Sequence, residues 1–255
     1  MLDQSVVAAD RLKIGSVLGR SYAILLGNLS AFFVIALVLS SPRYILYLWL
    51  RYGPGFGDLG NSPEAVMSLE TVDILASALE IVLSFVATGI IVYGTLRELQ
   101  GRPAGLVDIT KRGLATLLPV LLVSLAVTLV IIVGFAILVV PGLVFAVMFW
   151  VAVPVAVIER RSVRNCLKRS RALTQEHRWP VFGLLVLSLA MNGGFGYAIG
   201  AYADYGTAFL RWVMIEWCGG GLLIAFWAVL TAVTYFDLKR IKEGTGVDEI
   251  AAVFD

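Results

Sequence analysis

Glu80 is the residue whose setting asks most of its neighbours. It lies in Ile74-Leu-Ala-Ser-Ala-Leu-Glu80-Ile-Val-Leu-Ser-Phe85, with apolar or small residues on both sides. An ionised carboxylate in such a stretch, held in a bilayer, costs about 3 kcal/mol or more unless it is paired. Arg43, Arg211 and Glu216 fall at comparable depth on other apolar stretches. The four residues therefore form a candidate cluster at one membrane surface. Three kinds of work fit it: an ion pair that locks helices, a proton or substrate pathway, or a Glu80 partly exposed to a wet surface.

A second constellation occupies residues 160–178. Val163, Leu167, Ser170 and Leu173-Thr174 recur at spacings of three and four, which puts an apolar stripe on one face of a helix. Arg160, Arg161, Arg164, Lys168, Arg169 and Arg171 take much of the remaining surface. Such a helix is expected to lie in the membrane interface with its cations near anionic headgroups, each worth about 1 kcal/mol. The same charges also fit a plain topology signal or a docking surface for a cytosolic protein.

Reaction chemistry has little to work with. The single histidine, His177, stands beside Arg178-Trp179 and reads as a headgroup-level anchor rather than a base. Cys166 and Cys218 fall at opposite membrane surfaces, so a shared disulfide or metal is not expected. No glycine-rich phosphate loop lies outside the apolar blocks. Gly193, Gly194, Gly196, Gly200 and the glycines at 219–221 are expected to let helices pack closely, with Gly196 and Gly200 as a small-x-x-x-small pair. No catalytic residue, metal or cofactor is expected.

The elements that must hold these groups are dominated by one run. Residues 114–158 contain no charged side chain, and as one helix they would span about 68 Å, roughly twice a ~30 Å hydrocarbon core. The run must turn back, and Pro141-Gly142 is the expected break. With 59% hydrophobic residues and a mean hydropathy of +0.89, the composition is that of a membrane protein, not a soluble domain. Six blocks suit crossings: 25–50, 74–96, 114–140, 141–158, 180–203 and 213–236.

If the N-terminus is cytoplasmic, 17 of the 20 Lys and Arg lie inside and only Arg43, Arg51 and Arg211 outside. That bias puts both termini in the cytoplasm. The first block lacks a small-x-small cleavage site, so it is read as a crossing and not as a signal peptide. Tyr44, Tyr47, Trp49, Tyr52, Trp212 and Trp217 are expected at the outer surface. Tyr93, Trp179 and Tyr235 are expected at the inner one, and Trp150 and Trp227 deeper.

The chain also resembles itself. Leu18-Gly-Arg20-Ser21-Tyr-Ala23-Ile24 before the first crossing matches Leu167-Lys-Arg169-Ser170-Arg-Ala172-Leu173 before the fifth. Tyr93-x-x-Leu96-Arg97-x-Leu99 matches Tyr235-x-x-Leu238-Lys239-x-Ile241. Two similar hairpins are thus expected around a central one, each entered through a basic amphipathic helix, with residues 109–118 a weaker third copy lacking the Arg-Ser pair. The hairpins fall at about 11–101, 102–159 and 160–244 of a single membrane domain, followed by a short acidic tail at 245–255.

Several stretches, taken together, resemble a known family. They are Val140-Pro141-Gly142-Leu143, Trp150 with Ala152-Val153-Pro154-Val155 and Glu159, Leu167-Lys168-Arg169-Ser170 with Leu173-Thr174 and Arg178-Trp179, Tyr235-Phe236-Asp237-Leu238-Lys239, and Lys242-Glu243-Gly244. The chain is similar in these to the membrane domain of glycerophosphoryl diester phosphodiesterases and to related uncharacterised bacterial inner-membrane proteins. It departs from them at Cys166, where alanine is usual, and at Glu176, where glycine is common. The resemblance implies a membrane module without the catalytic domain that some relatives carry, and a bacterial inner-membrane location.

The combined expectation is an all-α, polytopic bundle of about six transmembrane helices with basic interfacial helices and both termini inside. Its expected function is non-enzymatic: membrane organisation, or contact with lipids, anionic phospholipids among them, or with a protein partner or a second copy. Nucleic acid is not an expected partner. A small-solute or lipid transporter using Glu80 and Asn192, and a regulatory module working with a separate phosphodiesterase, are the alternatives.

Overall fold

A computed structural model describes residues 12–52, 63–102, 105–160, 162–201 and 209–243. All regular structure among the described residues is helical. The helices are α1 (Ile14–Gly27), α2 (Leu29–Tyr52), α3 (Pro63–Leu99), α4 (Leu106–Leu114) and α5 (Leu117–Ile137), followed by α6 (Val139–Met148), α7 (Ala152–Glu159), α8 (Val163–Thr174), α9 (Arg178–Ala201) and α10 (Phe209–Glu243). Six stretches are long and apolar enough to cross a bilayer: Leu29–Trp49, Thr71–Leu99, Leu117–Ile137, Val139–Glu159, Arg178–Ala201 and Phe209–Glu243. The fourth joins α6 and α7 across an interruption at 149–151. The chain is a multi-pass membrane protein.

The turn in the long uncharged run falls at Leu138, earlier than Pro141-Gly142. Leu138 is extended, with φ −163° and ψ 156°, and caps α6. Pro141 sits in the first turn of α6, where its missing N–H is an orphan donor in any case. Gly142 serves a different purpose from breaking a helix. A Cβ on Gly134 would stand 2.9 Å from the Gly142 Cα, and one on Gly142 would stand 2.5 Å from the Phe135 ring. The hairpin of α5 and α6 closes because both positions lack side chains.

The three odd-numbered crossings are each preceded by a short helix: α1, α4 and α8. Each buries a pair of residues four apart, Val17 and Ser21, Ile109 and Gly113, Cys166 and Ser170. An arginine precedes the second member each time: Arg20, Arg112 and Arg169. The weak middle copy thus carries Arg-Gly where the other two carry Arg-Ser. Each short helix packs on the end of an even-numbered crossing, α1 on α10, α4 on α3 and α8 on α7.

Those three ends form the most continuous core, with nearly every residue buried over 86–96, 151–158 and 228–238. Tyr93 and Tyr235 are 2% and 1% exposed, so they are core residues and not the interfacial anchors that their place near a helix end suggests. The acidic tail lies outside the described residues.

Candidate functional site

The cluster around Glu80 is built on two spacings. Arg43 and Tyr47 are one turn apart on α2, and Asp73 and Glu80 are two turns apart on α3, so each pair shares a helix face. Arg43 Nη1 donates to Glu80 Oε2 at 2.6 Å, and Arg43 Nε and Nη2 donate to the Tyr47 hydroxyl at 3.0 and 2.6 Å. The Tyr47 hydroxyl in turn donates to Asp73 Oδ1 at 2.7 Å. The chain Glu80–Arg43–Tyr47–Asp73 therefore runs from a mostly covered carboxylate, its side chain 17% exposed, to a wetter one at 46%.

Arg43 and Glu80 are brought together as expected, but the other two members are not joined to them. Arg211 is exposed at the start of α10 and makes no ion pair among the described residues. Glu216 lies near the cluster, yet its Oε2 is buried with no hydrogen-bond partner. The contact between α2 and α10 is instead aromatic. Tyr44 stacks on Trp217 with ring centroids 5.9 Å apart, and Trp217 Nε1 donates to the Leu37 carbonyl and to Ser40 Oγ, each at 3.1 Å. This arrangement neutralises Glu80 and fixes helices to one another.

The second site centres on α8. Ser170 Oγ and Thr174 Oγ1 donate to the Met148 carbonyl at 2.9 and 3.3 Å. That carbonyl is left free where α6 stops. Arg169 Nε donates to Glu159 Oε1 at 3.0 Å, its Nη2 pairs with Glu243, and the Tyr235 hydroxyl reaches the same Glu159 oxygen at 3.2 Å. Burial works to lower the pKa of the Arg169 guanidinium, but the bonds to Glu243 and Glu159 outweigh it and hold the group above its usual value. Arg169 thus fastens α8 to α7 and α10 and is not a lipid-facing cation.

The remaining cations of α8 divide clearly. Arg164, Lys168 and Arg171, spaced four and three apart, are exposed on one edge. They border a groove of about 550 Å³ walled by Phe145, Met148 and Phe149 on one side and by Val163 and Leu167 on the other. Arg160 is exposed and caps α7 at φ 43°, a left-handed conformation unusual for a residue with a Cβ. Arg161 lies outside the described residues. His177 occupies the turn between α8 and α9, Cys166 is buried, and Cys218 is exposed on α10.

The fold and these clusters define a membrane-spanning helical bundle in which an ion-paired cluster joins α2 to α3 and a basic helix, α8, is fastened to α7 and α10. No family model, curated protein or solved structure matches the chain.

Proposed function

We propose that this protein is a non-catalytic module of the bacterial inner membrane, both termini cytoplasmic, that associates with anionic phospholipid through α8 and thereby helps to organise the membrane. The observation that carries this reading is the edge of α8, where Arg164, Lys168 and Arg171 stand exposed over an apolar groove while the fourth cation, Arg169, is drawn inward. Cations above an apolar slot match a phosphate above an acyl chain. A transport site made from Glu80 and Asn192 would need both to face one cavity. Glu80 is taken up by Arg43, and Asn192 is exposed on α9 and bonded to its own helix at the Ser188 carbonyl, 2.9 Å away.

The test is native mass spectrometry of protein extracted with its lipids, comparing wild type with the triple variant Arg164→Gln, Lys168→Gln, Arg171→Gln. Wild type is expected to retain anionic phospholipid and the variant to lose it. Equal retention would defeat the proposal.

A further inference from the structure

Helix α6 has a second groove on its other side. About 400 Å³ in volume, this groove runs between Val140, Leu143, Val144 and Val147 of α6 and Phe182 of α9, with Arg178 and Trp179 at its basic end. Both volumes fall within the ~300–1,000 Å³ of ordinary small-molecule sites. At about 100° per residue, positions 140, 143, 144 and 147 centre roughly 120° around the helix from 145 and 148, so α6 separates the two grooves.

The partition is short. α6 has ten residues and stops at Met148, which lines one groove, one residue after Val147, which lines the other. Both grooves therefore reach the end of α6. There the chain turns from α8 into α9, and Arg171 and Arg178 stand on either side of that turn, both exposed. Trp179, 83% exposed, has the character of a headgroup-level side chain.

Resting on the reading that α8 meets anionic phospholipid, we infer that a single diacyl anionic glycerophospholipid straddles α6, with one acyl chain in each groove and its phosphate between Arg171 and Arg178. A phosphodiester offers acceptor oxygens to two guanidinium groups, which hold it by charge-assisted hydrogen bonds. Acyl chains in a bilayer are already in apolar surroundings, so apolar contact alone does not select a lipid. The arginines select the charge of the headgroup, and the two grooves select the number of chains.

Native mass spectrometry of delipidated protein, titrated separately with phosphatidylglycerol, lysophosphatidylglycerol and phosphatidylcholine, tests this. One phosphatidylglycerol is expected per chain, with lysophosphatidylglycerol weaker by roughly tenfold or more, and phosphatidylcholine not retained. Val144→Trp fills only the groove against α9. It is expected to lower phosphatidylglycerol to the level of the single-chain lipid and to leave the single-chain lipid unchanged.

Equal binding of the one-chain and two-chain anionic lipids by wild type would overturn the straddling site and leave the anionic association standing. So would two phosphatidylglycerols per chain, of which Val144→Trp removes one. Equal binding of phosphatidylglycerol and phosphatidylcholine would overturn both. The wild-type comparison of lipids decides the matter even if Val144→Trp disturbs folding.

Discussion

Glu80 is tolerable where it stands because Arg43 meets it at 2.6 Å and Tyr47 completes the arginine's hydrogen bonds. Removing either charge leaves the other covered and unpaired, so Glu80→Gln and Arg43→Gln are each expected to destabilise the protein by about 1–3 kcal/mol, with the double variant losing less than the sum. Glu216→Gln is expected to leave stability unchanged or to raise it, since the buried Glu216 Oε2 has no partner to lose and an amide avoids the desolvation cost of an unpaired carboxylate. Thermal unfolding in lipid nanodiscs measures all four. The Arg43–Glu80 contact was legible in the sequence because two opposite charges at hydrocarbon depth need each other. Arg211 was not separable by depth alone. It precedes Glu216 by five positions, about 140° around a helix, so the two point apart. Tyr47 and Asp73 belong to the same cluster, and their spacings of four and seven from Arg43 and Glu80 are the signal in the sequence that places each pair on one helix face.

Among the elements, glycine changes meaning with its neighbours. The sequence pattern suggests that Gly193, Gly194, Gly196 and Gly200 let α9 pack closely, yet a Cβ on any of them meets nothing within 4 Å. The close approaches occur elsewhere: at Gly219, where an added Cβ would run into the Phe195 ring of α9, at Gly221, where it would stand 3.0 Å from Leu37 of α2, and at Gly134 and Gly142, where α5 meets α6. Gly142→Ala is therefore expected to cost about 1–3 kcal/mol by forcing the hairpin apart, while Gly196→Ala is expected to be neutral or mildly stabilising through helix propensity. Melting temperatures of the two single variants compare them directly. A count of glycines shows which helices can come close, but not which ones do. The same limit applies to α8. Its apolar stripe was readable from spacing, while the inward turn of Arg169 depends on Glu159 and Glu243, which come from two other helices.

At the scale of the molecule, the three short helices and three crossings form a closed circuit: α3, α7 and α10 all touch one another, and α4 rests on α3, α8 on α7 and α1 on α10. Two of the junctions carry an ion pair, Arg169 with Glu159 and Arg20 with Asp237. In the register that aligns Tyr93 with Tyr235, Thr95 stands where Asp237 does, and Arg112 makes no ion pair among the described residues. Arg20→Asp is expected to lower the melting temperature, and adding Asp237→Arg is expected to restore much of the loss by reversing the pair. The first and third copies were visible in the sequence through their shared Arg-Ser, whereas the middle copy was faint because Gly113 packs against the Ile90 backbone, where a Cβ would come within 2.8 Å. The circuit also imposes an order on biosynthesis. As the ribosome releases the chain, α4 and α8 find α3 and α7 already made, but α1, the earliest of the three, must wait for the sixth crossing to emerge. A nascent chain halted before residue 209 would hold its later short helices docked on their crossings, while the first, without α10, would keep only its lesser contacts with α2 and α9.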